Sequence, residues 1–176
     1  MRLAFLGSPA PAVPTLAALN GSSHDVVCVL TQPDAKRGRG SALSPTPVGA
    51  AARDLGLDVV YALSDVPWSE VDLAVVVAYG RIIPTRILDQ VPMLNVHFSL
   101  LPRWRGAAPV ERAILAGDDE TGVCIMGLEP TLDTGPIYAR AHTSIGAKSS
   151  TDLLGELSEM GARLILDGVD NFTSCH

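Results

Sequence analysis

Asn95 and His97 stand two residues apart in the run Leu94-Asn95-Val96-His97-Phe98-Ser99-Leu100-Leu101-Pro102-Arg103-Trp104-Arg105-Gly106-Ala107-Ala108-Pro109. On a strand, residues two apart share a face and lie roughly 6–7 Å from one another, so an apolar strand here presents an amide and an imidazole side by side. An amide that donates a hydrogen bond and an imidazole that accepts a proton are the parts needed to stabilise and attack a carbonyl. The same residues also suit a plainer reading, in which Asn95 closes a turn and His97 packs as a satisfied core histidine. A third polar group comes from Leu132-Asp133-Thr134-Gly135. Asp133 either bonds its own backbone as an Asx-turn or orients His97, fixing the imidazole tautomer and stabilising its charged form. Together the three would make an acyl-transfer site without a covalent nucleophile. A hydrolase has less support, because no G-x-S-x-G elbow surrounds Ser99.

Such a site needs a core to hold it. A chain of 176 residues fits one domain and is long enough to bury most of the surface its unfolded form exposes. Hydrophobic content of 47% against 18% charged residues describes a globular protein. No uninterrupted apolar run of about 18 residues is present to span a membrane. The opening Met1–Gly7 is too short for a signal-peptide core and reads as a first strand, from which a cytoplasmic location is expected. Cysteines 28, 124 and 175 are far apart and lack C-x-x-C spacing, so neither a disulfide framework nor a thiolate metal site is suggested. Histidines 24, 97, 142 and 176 likewise lack ligand spacing, and no metal is expected. The net charge of −6 argues against general nucleic-acid affinity. Any nucleic-acid contact must be local, and the dense basic patch ahead of the central motif is Lys36-Arg37-Gly38-Arg39.

The elements that position these residues follow from pattern. Residues 2–6 predict a strand closed by Gly7-Ser8-Pro9, then a helix carrying Val13, Leu16 and Leu19 that ends near Gly21. Val26–Leu30 reads as a buried parallel strand. From Pro33 to about Pro47 the chain is rich in Pro, Gly and Ser and predicts a long loop, a type usually functional or mobile. A helix over 50–55 stopped by Gly56 and a short strand at Val59-Val60 come next. Asp72–Gly80 is the strongest strand and should be central. Pro84 opens a helix with Ile87 and Leu88, and 92–97 is the following strand. This alternation predicts an α/β fold, a Rossmann-like doubly wound and mostly parallel sheet, in which ligands bind beyond the carboxyl ends of the strands. His97 falls at such an end. After the Arg103–Gly106 turn come a helix from Pro109 to Gly117 and a strand over 121–126. The strand over 136–141 returns antiparallel near the C-terminal end, its connection being too short for a crossover helix. A last helix capped by Ser149–Asp152 repeats Leu153, Leu157, Met160 and Leu164.

The stretch from Asn95 to Pro109 resembles the signature of the methionyl-tRNA formyltransferases, and Thr121-Gly122 with Leu132-Asp133-Thr134-Gly135 is similar to that family's second motif. Thr31-Gln32-Pro33-Asp34, Gly38-Arg39-Gly40, Ser44-Pro45-Thr46-Pro47-Val48 and Val75–Gly80 match in the family's order. The N-x-H and Leu-Asp-Thr-Gly pair alone would mark only the wider folate-dependent formyltransferases. The resemblance implies a catalytic formyltransferase domain over 1–176; the family's C-terminal β-barrel domain is not expected within these residues. It implies that 10-formyltetrahydrofolate binds against Ser99, Leu100, Leu101 and Pro102, with its formyl group facing Asn95, His97 and Asp133. It further implies that Asn95 stabilises the oxyanion, His97 accepts the amine's proton, Asp133 holds His97, and Arg39 engages the tRNA acceptor end. Expected partners are initiator methionyl-tRNA and the folate co-substrate, with no membrane, no metal and a monomeric chain.

Overall fold

The computed structural model describes residues 1–36 and 43–174. Its first strand, β1 (Arg2–Gly7), is buried from Leu3 onward, as a strand covered on both faces must be. It closes at Gly7, where a Cβ would stand 2.8 Å from the Val77 carbonyl oxygen, so a side chain there would force two strands apart. A 3-10 turn (Ala10–Ala12) leads into α1 (Val13–Asn20), and β2 (Asp25–Leu30) then pairs parallel with β1. The expected loop over 33–47 is not wholly irregular: β3 (Ala35–Lys36) and β4 (Leu43–Ser44) pair antiparallel. Strands of two residues carry no readable alternation, which is why turn-rich composition concealed them. Next comes α2 (Pro47–Asp54), which begins ahead of the predicted Ala50 because Thr46 caps it, its Oγ1 accepting the Gly49 N–H at 2.9 Å, with Pro47 in the first turn.

β5 (Val59–Val60) pairs parallel with β2, and β6 (Leu73–Val77) pairs parallel with β1. After the four-residue α3 (Thr85–Leu88), β7 (Met93–His97) pairs parallel with β6. α4 (Pro109–Leu115) separates it from β8 (Glu120–Gly127), which runs antiparallel to β7; β9 (Ile137–Ser144) is in turn antiparallel to β8. The sheet order is β5-β2-β1-β6-β7-β8-β9, with β6 in the middle as predicted. The antiparallel return expected between 121–126 and 136–141 is present. The strand that runs against all the others is β8, because β9 reverses direction again.

α5 (Ser150–Ser174) covers one face of the sheet. The predicted apolar stripe needs correction: Leu153 and Leu157 are buried, but Met160 and Leu164 lie only half-buried at its edge, and the buried line continues through Gly161, Ile165 and Val169. The reason is close approach through glycine. A Cβ on Gly161 would stand 2.8 Å from Val96 Cγ1, and one on Gly168 would stand 2.6 Å from Ile125 Cγ2. Reading leucines as the face therefore displaced it by about one position. Leu94 and Val96 pack into this α5 layer, while Met93 packs on the other face with Val76 and Ile87. Alternation then puts Asn95 and His97 on the face away from α5, on a strand whose back is fully packed. Each fully buried Leu or Val in that backing layer contributes roughly 1.5–3 kcal/mol. Among the described residues no helix is long and apolar enough to cross a membrane.

Candidate active site

The chain turns sharply at the carboxyl ends of both β6 and β7. β6 is followed by Ala78 and Gly80 with φ of +46° and +77°. Beyond β7 the Ser99 hydroxyl donates to the Arg103 carbonyl at 2.7 Å, and the Arg103 N–H donates to the Leu100 carbonyl at 3.1 Å. Ser99 is fully buried and committed to this bond, which disposes of it as a nucleophile. The following turn holds Trp104 at φ +63°, Gly106 at +83° and Ala108 at +52°. Non-glycine residues in this region cost of order 1–3 kcal/mol each and persist only where their surroundings hold them.

That turn delivers a backbone atom to the histidine. His97 Nε2 lies 3.0 Å from the Trp104 carbonyl oxygen. A carbonyl only accepts, so Nε2 carries the proton and the neutral ring keeps its lone pair on Nδ1. Nδ1 stands 3.6 Å from Asp133 Oδ2, and both side chains are over nine-tenths buried. The same Oδ2 accepts the Gly106 N–H at 2.7 Å, with Asp133 itself at φ +50°. Asp133 thus reaches across to the turn after β7 and closes no Asx-turn of its own. The two duties expected of it are divided: a backbone carbonyl fixes the tautomer, and the carboxylate faces the nitrogen that would gain a proton.

Asn95, His97 and Asp133 line one cleft of about 700 Å³. Its walls are mostly apolar, with Ile83, Leu88 and Phe98 inside and the exposed Ile82 and Leu132 at the mouth. Tyr79, 4% exposed, also lines it, and burial pushes its phenol above the ordinary range, with Arg81 opposing, so the hydroxyl stays neutral. Ser99, Leu100, Leu101 and Pro102 do not line this cleft. Leu101 packs with Cys124 and Met126, Leu100 borders a separate cavity of about 470 Å³ with Arg103 and Trp104, and Pro102 faces outward. Arg39 lies outside the described residues. Among the described residues no group of three His, Cys, Asp or Glu is placed to hold a metal ion. Residue types gave no notice of the Trp104 carbonyl, since any residue could supply it. The 78–83 wall could have been found from Gly80, which marks the end of the central strand.

A doubly wound sheet with an amide, an imidazole and a carboxylate lining one cleft beyond its carboxyl ends carries groups able to stabilise a carbonyl oxygen and accept a proton, on an α/β fold. The chain belongs to the formyl transferase family, whose model matches residues 1–166. It is 52% identical to a methionyl-tRNA formyltransferase of Cereibacter sphaeroides over 97% of this chain and 60% of that protein. It is 48% identical to the methionyl-tRNA formyltransferase of Novosphingobium aromaticivorans over 99% of this chain and 61% of that protein. The chain therefore spans about three-fifths of the length of these curated relatives. Among solved structures, the phosphoribosylglycinamide formyltransferase from Bacillus halodurans superposes with a TM-score of 0.78 at 22% identity, covering 99% of this chain and 96% of that one, which supports the fold.

Proposed function

We propose that the chain transfers a formyl group from 10-formyltetrahydrofolate to the amino group of methionine on initiator methionyl-tRNA, acting in the cytoplasm as a monomer. The observation that carries this reading is the His97 ring, protonated on Nε2 by its bond to Trp104 and offering Nδ1 beside Asp133. The cleft suits a flat, largely apolar donor, with Asn95, His97 and Asp133 on its inner wall and the exposed Arg81 and Glu129 also lining it. When bound, 10-formyltetrahydrofolate supplies the formyl carbon. Asn95 donates its amide N–H to the formyl oxygen as the amine adds to the carbonyl carbon and charge passes to that oxygen. His97 Nδ1 takes the proton released by the amine, Asp133 stabilises the positive charge that develops on the ring, and the proton returns to the departing folate nitrogen. The balance is one C–N bond formed and one broken, with no net proton consumed. Ser99–Pro102 support the site from behind by holding the turn. Arg39 is assigned to the tRNA acceptor end, a local cation that lets an acidic chain meet RNA.

The test is formylation by the purified chain of methionyl-tRNA and, separately, of a small primary amine such as glycinamide. Formyl-methionyl-tRNA as the product supports the proposal; transfer to the small amine alone overturns the acceptor assignment. Arg39→Ala should weaken tRNA use while leaving folate affinity unchanged.

A further inference from the structure

We infer that Asp118 is a positioning residue for His97, acting through Trp104 from outside the cleft. Asp118 stands three residues past the end of α4. Gly117 ends that helix at φ +70°, and the Asp118 N–H donates to the Ala113 carbonyl at 3.1 Å, so the carboxylate stands on a fixed helix end. Its side chain is 14% exposed and accepts Arg103 Nε on Oδ2 at 2.9 Å, Arg103 Nη2 on Oδ1 at 2.6 Å and Trp104 Nε1 on Oδ2 at 2.6 Å. Bidentate pairing of this kind fixes orientation as well as distance.

The indole has further support. The Arg103 and Arg112 guanidiniums lie 4.5 Å and 5.0 Å from its ring centroid, within cation–π range. Arg112, on α4, donates Nη1 to the Arg105 carbonyl at 2.6 Å. Residues 103, 104 and 105 are therefore each held by a group on α4 or immediately after it. Trp104 needs this holding, because φ +63° is a conformation that bulky L-residues rarely adopt. Its carbonyl is the atom that accepts from His97 Nε2. The line of support runs from the end of α4 to Asp118, to the Trp104 indole, to the Trp104 backbone and so to the ring nitrogen that must keep its proton. An exposed Arg–Asp pair alone does little for stability; aimed at an indole N–H, it sets where a backbone oxygen points.

The effect on the ring stands independently of the reaction, whereas the effect on rate rests on the formyl-transfer reading. The experiment records two-bond proton–nitrogen spectra of the uniformly ¹⁵N-labelled chain at a pH where His97 is neutral, for the wild type, Asp118→Ala and Trp104→Phe. Trp104→Phe keeps an aromatic ring beside the guanidiniums and loses the indole N–H with its five-membered ring. The wild type is expected to show Nε2 protonated, and both variants a raised fraction of the Nδ1-protonated tautomer. In parallel, kcat for formyl transfer falls about 10- to 100-fold, the scale of a misplaced catalytic group, while KM for the folate stays within twofold. A wild-type ring spectrum in both variants, with their amide spectra still those of the folded sheet, overturns the inference. So does an equal loss in kcat and KM with an unchanged ring. If the wild-type chain transfers no formyl group, the formyl-transfer reading fails, and the ring spectra still decide the role of Asp118.

Discussion

The two halves of the sheet end their strands in different chemistry. On the β5-β2-β1-β6 side, the carboxyl ends are tied by hydroxyls: Thr31 Oγ1 and Thr46 Oγ1 stand 2.6 Å apart, Thr31 Oγ1 donates to Ser8 Oγ at 3.2 Å, and the Gln32 N–H donates to the same oxygen at 3.1 Å. On the β7-β8-β9 side, the turn after β7 is held by two carboxylates, Asp133 on the Gly106 N–H and Asp118 on Arg103 and Trp104. Hydroxyls that bond one another make neutral joints and stabilise. Carboxylates bring charge, and at Asp133 that charge faces an imidazole nitrogen. The comparison teaches that the parallel half supplies the frame, while the half containing the reversed strand carries the groups proposed to react.

Breaking each half should therefore give different signatures. The largest effect belongs to His97→Ala, expected to lower the rate of formyl transfer by roughly 100- to 10,000-fold with little change in melting temperature, read by single-turnover assay and by thermal denaturation. Asp133→Asn should cost somewhat less, on the order of 100-fold, because the Gly106 N–H keeps an oxygen to donate to. Behind the site, Gly161→Val tests the packing: forcing a side chain against Val96 should destabilise the fold by about 1–3 kcal/mol in urea titration. In the frame half, Thr46→Ala removes the α2 cap and the partner of Thr31 and should cost about 0.5–2 kcal/mol, with catalysis at saturating substrate nearly unchanged. The smallest effect is one of pH. Hydrogen bonds from Arg103, then Trp104, hold Asp118 down from 3.8 to about 2. A carboxyl lowered on folding stabilises the folded state above its ordinary value and loses that contribution as pH falls through the folded value. The 103–105 turn should thus loosen only between about pH 4 and pH 2, followed by Trp104 fluorescence, and Asp118→Asn should remove that dependence.

Much of this was legible in the residues. Strand and helix alternation predicted the sheet, its central strand and the position of His97 at a strand end, because each element buried an apolar pattern with its own period. Asn95, His97 and Asp133 were found as candidates by type and spacing, and the fold brings all three to one cleft. Three features escaped. The α5 face was misplaced because glycines, which have no side chain to count, make its closest contacts. The cleft wall contributed by 78–83 and 128–132 escaped because these segments are distant in sequence from the motif. The tautomer lock escaped because it is a backbone carbonyl, and a carbonyl's direction is set by φ and ψ, which residue type leaves open at Trp104.

The central claim is that His97, with Nε2 committed to Trp104 and Nδ1 facing Asp133, is the base for formyl transfer. Its most direct test is single-turnover transfer to methionyl-tRNA by the wild type and by His97→Ala, with folate affinity measured on the same samples. A loss of at least about 100-fold in rate with folate affinity within twofold is the predicted result. Transfer by His97→Ala within about threefold of the wild-type rate would contradict it, because removing a general base costs far more than that.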